Sequence, residues 1–209
     1  MEYKEVKDTI LNIEGGFKVI KEVSIELYKS MDAVESKKLA FELYSSNAYQ
    51  ERSLAVFLLG YLSIDDLSCL LFLKDEVSKD DNWRVQEILA MAFDYFCSKT
   101  GYEKAIPYIE EWLHSPVANV RRAVSEGLRI WTSRPYFKEH PQKAVNYLSP
   151  LKDDESEYVR KSVGNALRDI SKKHSQLIVN EIGSWDLDNR RIFQTYKLVI
   201  KNGLLAKKQ

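Results

Sequence analysis

The chain repeats itself at long range, and that limits what it can become. Trp83-Arg84-Val85-Gln86-Glu87, Val120-Arg121-Arg122-Ala123-Val124 and Val159-Arg160-Lys161-Ser162-Val163 share one frame, with Arg84, Arg121 and Arg160 spaced 37 and 39 residues apart. A fainter echo, Asn189-Arg190-Arg191-Ile192, begins 29 residues after Arg160. Periods of this size belong to helix pairs that bury their apolar stripes only by stacking on their neighbours. In this frame the fifth position is valine in two copies and Glu87 in the first. A repeat wants an apolar residue there, so the carboxylate breaks the local rule and becomes a candidate for function.

Almost every other segment also reads as helix. Phe17, Ile20, Val23, Leu27 and Tyr28 form one apolar face at helical spacing, and Gly15-Gly16 closes the short helix before them. Further helices are expected within 33–45, at 49–62 and 64–77 joined at Ser63 as an N-cap, and from Trp83 after an Asp81 or Asn82 cap. The pattern continues with 102–114, 118–131, 144–151, 156–174, 175–184 and 187–202. The stretch 132–141 reads as irregular, because Pro135 and Pro141 oppose helix continuity. No segment alternates with period two. The expected fold is all-α, a superhelical solenoid of HEAT-like helix pairs with about 11–12 helices. It is expected as a single domain over 1–209, with a fraying tail at Lys207-Lys208-Gln209.

Composition narrows the partners. At 44% hydrophobic and 30% charged residues the chain is too apolar for disorder. Its formal net charge of zero conceals an asymmetry: residues 1–80 hold 10 Lys/Arg against 15 Asp/Glu, and residues 81–209 hold 21 against 16. The basic part is the part with the arginine repeats, as a solenoid with one basic face would be. Cys69 and Cys97 lie in apolar runs, so buried reduced thiols are expected, and no secretory leader or membrane-length run is present. The expected location is the cytoplasm and the expected state a monomer. His114, His140 and His174 stand at no metal-ligand spacing with each other or with the cysteines, so no metal is expected, and no Gly-rich phosphate loop follows a strand to suggest an organic cofactor.

The chemistry-bearing residues fall in equivalent parts of successive repeats. Trp83 and Glu87 lie four apart, on one helix face. Arg121, Arg122, Ser125, Glu126, Arg129 and Trp131 crowd the second repeat, and Arg160, Lys161, Asn165, Arg168 and Asp169 the third. Equivalent positions in a solenoid line one surface, and carboxylates among cations and aromatics would suit a polyanion carrying one cationic atom. The competing expectation is structural: Arg–Asp/Glu ladders between repeats, Glu126 bridged to Arg129 or Arg122, Glu87 paired with Arg121 or Arg122, and Trp83 and Trp131 in the core.

At these residues the chain resembles the HEAT-like alkylpurine DNA glycosylases, the AlkD/AlkC superfamily. Asp81-Asn82-Trp83 with an acid four residues after the tryptophan is similar to the AlkD-type segment, where the acid is an aspartate. Val120-Arg121-Arg122-Ala123-Val124-Ser125-Glu126-Gly127 and the run from Tyr158 to His174 resemble two AlkC-type motifs. The resemblance implies hydrolysis of the N-glycosidic bond of cationic N3- or N7-alkylpurines in duplex DNA. Glu87 and Glu126 would act on the oxocarbenium-like sugar. Trp83, Trp131 and Asn165 would contact the substrate, and Arg121, Arg122, Arg160, Lys161 and Arg168 the phosphates. Asn165 stands where the AlkD-type pattern has a tryptophan. Some superfamily members bind distorted or branched DNA without cleaving a base. A silent DNA binder and a protein-binding solenoid therefore stay open as alternatives.

Overall fold

In the computed structural model, which describes residues 2–201, the chain forms two compact units, Met1–Thr100 and Gly101–Gln209. Every regular element among the described residues is helical, so the all-α expectation holds, with 13 α-helices against the 11–12 expected. The tail at 207–209 lies outside the described residues.

The first unit holds α1 (Tyr3–Leu11), α2 (Lys18–Ser30), α3 (Ala33–Tyr44), α4 (Tyr49–Leu62), α5 (Leu67–Asp75) and α6 (Trp83–Thr100). Helix α4 is its centre. It packs on α2, α3, α5 and α6, and Leu54, Ala55, Val56, Leu58 and Leu59 are wholly buried. A helix apolar nearly all round is stable only when enclosed in this way. A Cβ on Gly60 would come within 2.7 Å of the Ala92 Cβ, so the missing side chain sets the approach of α4 to α6. Ser63 is the C-cap of α4 and not the N-cap of the next helix; Asp66 caps α5 by accepting from the Ser68 N–H.

The second unit holds α7 (Ile106–Leu113), α8 (Ala118–Gly127), α9 (Pro135–Glu139), α10 (Pro141–Leu148), α11 (Glu157–Ser171), α12 (Ser175–Ile182) and α13 (Arg190–Ile200). Helix α11 packs between α8 and α13, with α10 and α12 against it. Gly164 plays the part of Gly60 here: a Cβ would meet the Leu198 Cβ at 2.7 Å. The stretch 132–141 is not irregular. Helix α8 stops at Gly127, a 3-10 turn covers Trp131–Ser133, and Pro135 and Pro141 begin α9 and α10. Proline at a first helical position lacks only an N–H that would be unpaired anyway, so it starts helices as readily as it ends them.

Hydrogen bonding also fixes the repeat register, and it differs from the arginine frame. The N–H groups of Arg52, Gln86, Arg121 and Arg160 each donate to the carbonyl four residues back, at Ala48, Asn82, Val117 and Ser156, where α4, α6, α8 and α11 begin. Two residues before each start, Ser46, Asp80, Ser115 and Asp154 accept from the starting residue's N–H. The equivalent residues are thus Arg52, Gln86, Arg121 and Arg160, and Arg84 is displaced by two. Glu87 stands level with Arg122 and Lys161, and Leu89 level with Val124 and Val163. Its position is half-buried, and it breaks no apolar slot.

Three of these residues use their guanidinium as a staple. The Arg52 Nη1 donates to the Ser46 and Asn47 carbonyls, while Nε and Nη2 grip Asp80 at 2.7 and 3.3 Å. Arg121 repeats this on the Ser115 and Pro116 carbonyls and on Asp154, at 2.7 and 2.8 Å. Arg160 holds the Asp154 and Glu155 carbonyls and donates to Gln194 at 2.7 Å. In the position of these arginines, Gln86 reaches the Val77 and Asp80 carbonyls through its amide. The ladder expected as the competing reading is present within each unit.

Asp154 keeps only 4% of its side chain exposed while serving both Arg121 and the N-terminus of α11. Asp154→Ala should therefore cost about 3 kcal/mol, the range for removing one partner of a buried pair. Urea denaturation should show this, and a loss below about 1 kcal/mol would mean that the staple contributes no more than a surface ion pair.

Candidate nucleic-acid interface

The staple reassigns two of the expected phosphate contacts. Arg121 spends four donated bonds inside the second unit, and Arg160 is buried with its two terminal nitrogens engaged. Of the remaining expected cations, Lys161 is exposed and pairs with Glu157 at 2.6 Å. Arg122 is half-buried, and Arg168 donates to the Leu198 carbonyl at 3.4 Å.

Glu126 is also committed. Its carboxylate accepts from Arg129 at 3.1 Å and from the Ser162 hydroxyl at 2.8 Å, and Ser125 donates to Ser162 at 3.0 Å. Arg129 continues to Asp169 at 2.9 Å, and Lys172 reaches the other Asp169 oxygen at 2.6 Å. This network joins α8 to α11. Burial pushes the Asp169 carboxyl up, but the hydrogen bonds from Lys172 and Arg129 outweigh it and hold the group below the ordinary carboxylate range. Burial likewise opposes the charge of Arg129, and its two carboxylate partners raise its pKa in spite of that. A carboxylate held between a guanidinium and a hydroxyl has little field left for a developing sugar cation.

Trp131 is fully buried, against Phe137 and Tyr147, with its indole N–H donated to the Ser125 carbonyl at 3.3 Å. The ring has no open face to offer, and the expected substrate contact is replaced by a core role. The arginine-rich flank hid this, since Trp131 sits on a 3-10 turn and not on the helix face the periodicity implied. Asn165 is half-buried on α11.

Trp83 goes the other way. It opens α6 and is 61% exposed, the largest exposed side chain of the first unit, with Glu87 half-buried one turn on. The Arg84 guanidinium lies between two rings, 4.7 Å from the Trp83 centroid and 4.9 Å from that of Tyr49. One π face of Trp83 is therefore already taken by a cation. The repeat frame aligns Arg84 with Arg121 and Arg160, because it matches residue type rather than the aspartate or serine six residues upstream of each equivalent position.

Among the described residues no group of three His, Cys, Asp or Glu could hold a metal ion, and no helix is long and apolar enough to cross a membrane. Cys69 and Cys97 are buried free thiols, and burial pushes the Cys69 thiol up to about 11.

The two units, their stapled helix pairs and the motifs along them define a class. The chain belongs to the DNA alkylation repair enzyme family, whose model matches residues 16–182. The crystal structure of AlkD2 from Streptococcus mutans is similar over 95% of this chain and 96% of that one, with 55% identity and a TM-score of 0.92. The structure of smu.31 from Streptococcus mutans UA159 is similar at 53% identity and a TM-score of 0.89, covering 95% and 98%. Pseudomonas fluorescens alkylpurine DNA glycosylase AlkC, bound to DNA containing an abasic site analog, shares the fold at 23% identity and a TM-score of 0.50, covering 88% and 61%. The uncharacterized protein YhaZ of Bacillus subtilis (strain 168) is 41% identical over 87 residues, which are 40% of this chain and 24% of YhaZ.

The Asp169 network carries a pH dependence of known sign. Because its folded pKa lies below the unfolded value of about 3.9, its contribution is complete above that pH and is lost as pH falls through the lower folded value. Asp169→Asn should be less stable at pH 7 and lose less on acidification than the parent. Thermal melts between pH 7 and pH 3 would show two parallel curves if Asp169 had no part in acid sensitivity.

Proposed function

We propose that the chain recognises duplex DNA in alkylation repair, binding it through surface lysines and arginines without releasing a base. The observation that supports this reading most is where the charged groups have gone. Glu126 is ion-paired with Arg129 and hydrogen-bonded by Ser162, Trp131 is buried, and a guanidinium already occupies one face of Trp83. Each change removes a part of the catalytic set that the motifs suggested. What stays on the surface suits phosphate, which is bound through charge with little demand on geometry.

A second reading, hydrolysis of the glycosidic bond of cationic alkylpurines, draws support from the Trp83–Glu87 pair. An N3- or N7-alkylated purine is already a good leaving group, so the protein has only to stabilise positive charge building on the deoxyribose and to orient a water. Glu87, half-buried one turn from an exposed tryptophan, is the carboxylate that suits both tasks. The open face of Trp83 would meet the cationic base, a contact worth about 0.5–2 kcal/mol. AlkC was captured with an analog of an abasic site, the kind of product such a reaction leaves. No metal or organic cofactor is required.

Release of 3-methyladenine and 7-methylguanine from methylated duplex separates the two readings. The first expects salt-dependent duplex binding with no release above buffer. The second expects release that drops about 100-fold or more in Glu87→Gln, the loss typical of removing one charge-stabilising group, and persists in Glu126→Gln. Absence of duplex binding at low salt would sink both and leave a protein-binding solenoid.

A further inference from the structure

Helices α11 and α13 enclose a groove of about 330 Å³ lined by Glu157, Arg160, Lys161, Gln194, Lys197 and Lys201, together with Leu198. Four of these residues are cationic and one is anionic. Arg160 is 7% exposed, and its Nε has no hydrogen-bond partner although Nη1 and Nη2 are both engaged. A buried N–H on a charged group is costly to leave unmade, and it suits an acceptor supplied from outside the chain. The lysines also carry aromatic company. Lys161 lies 5.8 Å from the Tyr158 ring centroid and Lys197 4.9 Å from that of Phe193, and both rings are exposed, Tyr158 by 70% and Phe193 by 41%.

We infer that this groove is a phosphate-binding site for the DNA backbone, with Lys197 on α13 and Lys201 at its C-terminal cap as the principal contacts and Tyr158 and Phe193 as flanking walls for the sugar and base. The inference rests on the duplex-binding reading above and extends it to a helix that the arginine motifs do not include. Two features favour phosphate over a carboxylate-bearing metabolite. The cations stand on two different helices, as a tetrahedral anion with several open oxygens can exploit, and the aromatic rings beside them offer stacking surfaces to nucleotides. Glu157 sets the threshold. It holds the Lys161 amine at 2.6 Å, so that amine must leave a carboxylate to reach a phosphate.

The test uses the full chain and a short fluorescein-labelled duplex, followed by anisotropy across a salt series. Lys197→Gln/Lys201→Gln should weaken binding about tenfold at low salt and make the salt slope shallower by about 1–2, as loss of one or two phosphate contacts does. Lys21→Gln/Lys29→Gln, which removes the same charge from exposed sites on α2, should leave both nearly unchanged. Glu157→Gln should tighten binding by freeing Lys161. If the parent chain binds but the α13 variant binds equally well, the groove is not the site and the broader reading stands. An equal loss in the α2 control, or weaker binding by Glu157→Gln, would also overturn the groove. If the parent fails to bind duplex at low salt, the duplex-binding reading falls and the groove falls with it. All these variants alter exposed side chains, and matching far-ultraviolet circular dichroism would confirm that they fold.

Discussion

The geometry of each unit depends on a mostly buried guanidinium, Arg52 in the first and Arg121 in the second. Arg52 and Arg121 each close the turn before their own helix through two carbonyls and then grip an aspartate that begins the next repeat helix. That aspartate in turn accepts the N–H that starts the helix. One planar side chain therefore couples the entry angle of one helix to the start of another. Lysine could not replace it, because an ammonium has no fork to span two carbonyls and a carboxylate together. The pairs are nearly buried, with Asp80 and Asp154 each 4% exposed, so their worth lies as much in fixing register as in net free energy.

That constraint decides what is left for a ligand. Three of the four equivalent positions carry an arginine, Arg52, Arg121 and Arg160, and a reader of sequence sees a basic stripe. The fold consumes Arg52 and Arg121 outright and most of Arg160, so the proposed duplex contact draws on residues one step off the staple or at α13. Lys161 follows Arg160 directly, and Lys197 and Lys201 follow the α13 turn that receives Gln194's partner. Charge count over residues 81–209 overstates the interface, because a stapled arginine contributes to the tally and not to the surface potential a polyanion meets.

Much of the fold could be read from the chain alone, because helical periodicity is a local signal. Helix α4 is found at its expected limits, α3 lies within its expected span, and α11 and α13 lie within a few residues of theirs. Register was less legible. Matching arginine to arginine put Arg84 in line with Arg121, whereas Gln86 takes that place by donating to the same kind of carbonyl. The pattern that would have shown it was the Ser or Asp six residues upstream, a polar signal weaker than an apolar one because several side chains can fill it. The two-residue slip moved Glu87 from a half-exposed position to an apolar slot. It thereby gave the residue an anomaly that the structure removes, although Glu87 keeps its place one turn from Trp83. Proline misled in a similar way: Pro135 and Pro141 opened helices where they were expected to prevent them.

The site shows why motif and mechanism can part company. Stabilising an oxocarbenium-like sugar needs a carboxylate whose charge is not already answered. At Glu126 the answer comes from its own neighbours, since Arg129 lies one turn away and bridges onward to Asp169, itself held by Lys172. Along this chain carboxylate and cation alternate, so the field beyond a few ångströms is nearly cancelled. The same alternation is favourable for a repeat interface, where it satisfies every buried oxygen while joining α8 to α11. A residue cannot serve fully in both roles. The V-R-R-x-V-S-E-G run is retained here as Val120-Arg121-Arg122-Ala123-Val124-Ser125-Glu126-Gly127, yet its arginine staples and its glutamate braces. Packing accounts for both residues, so this run carries no catalytic assignment by itself.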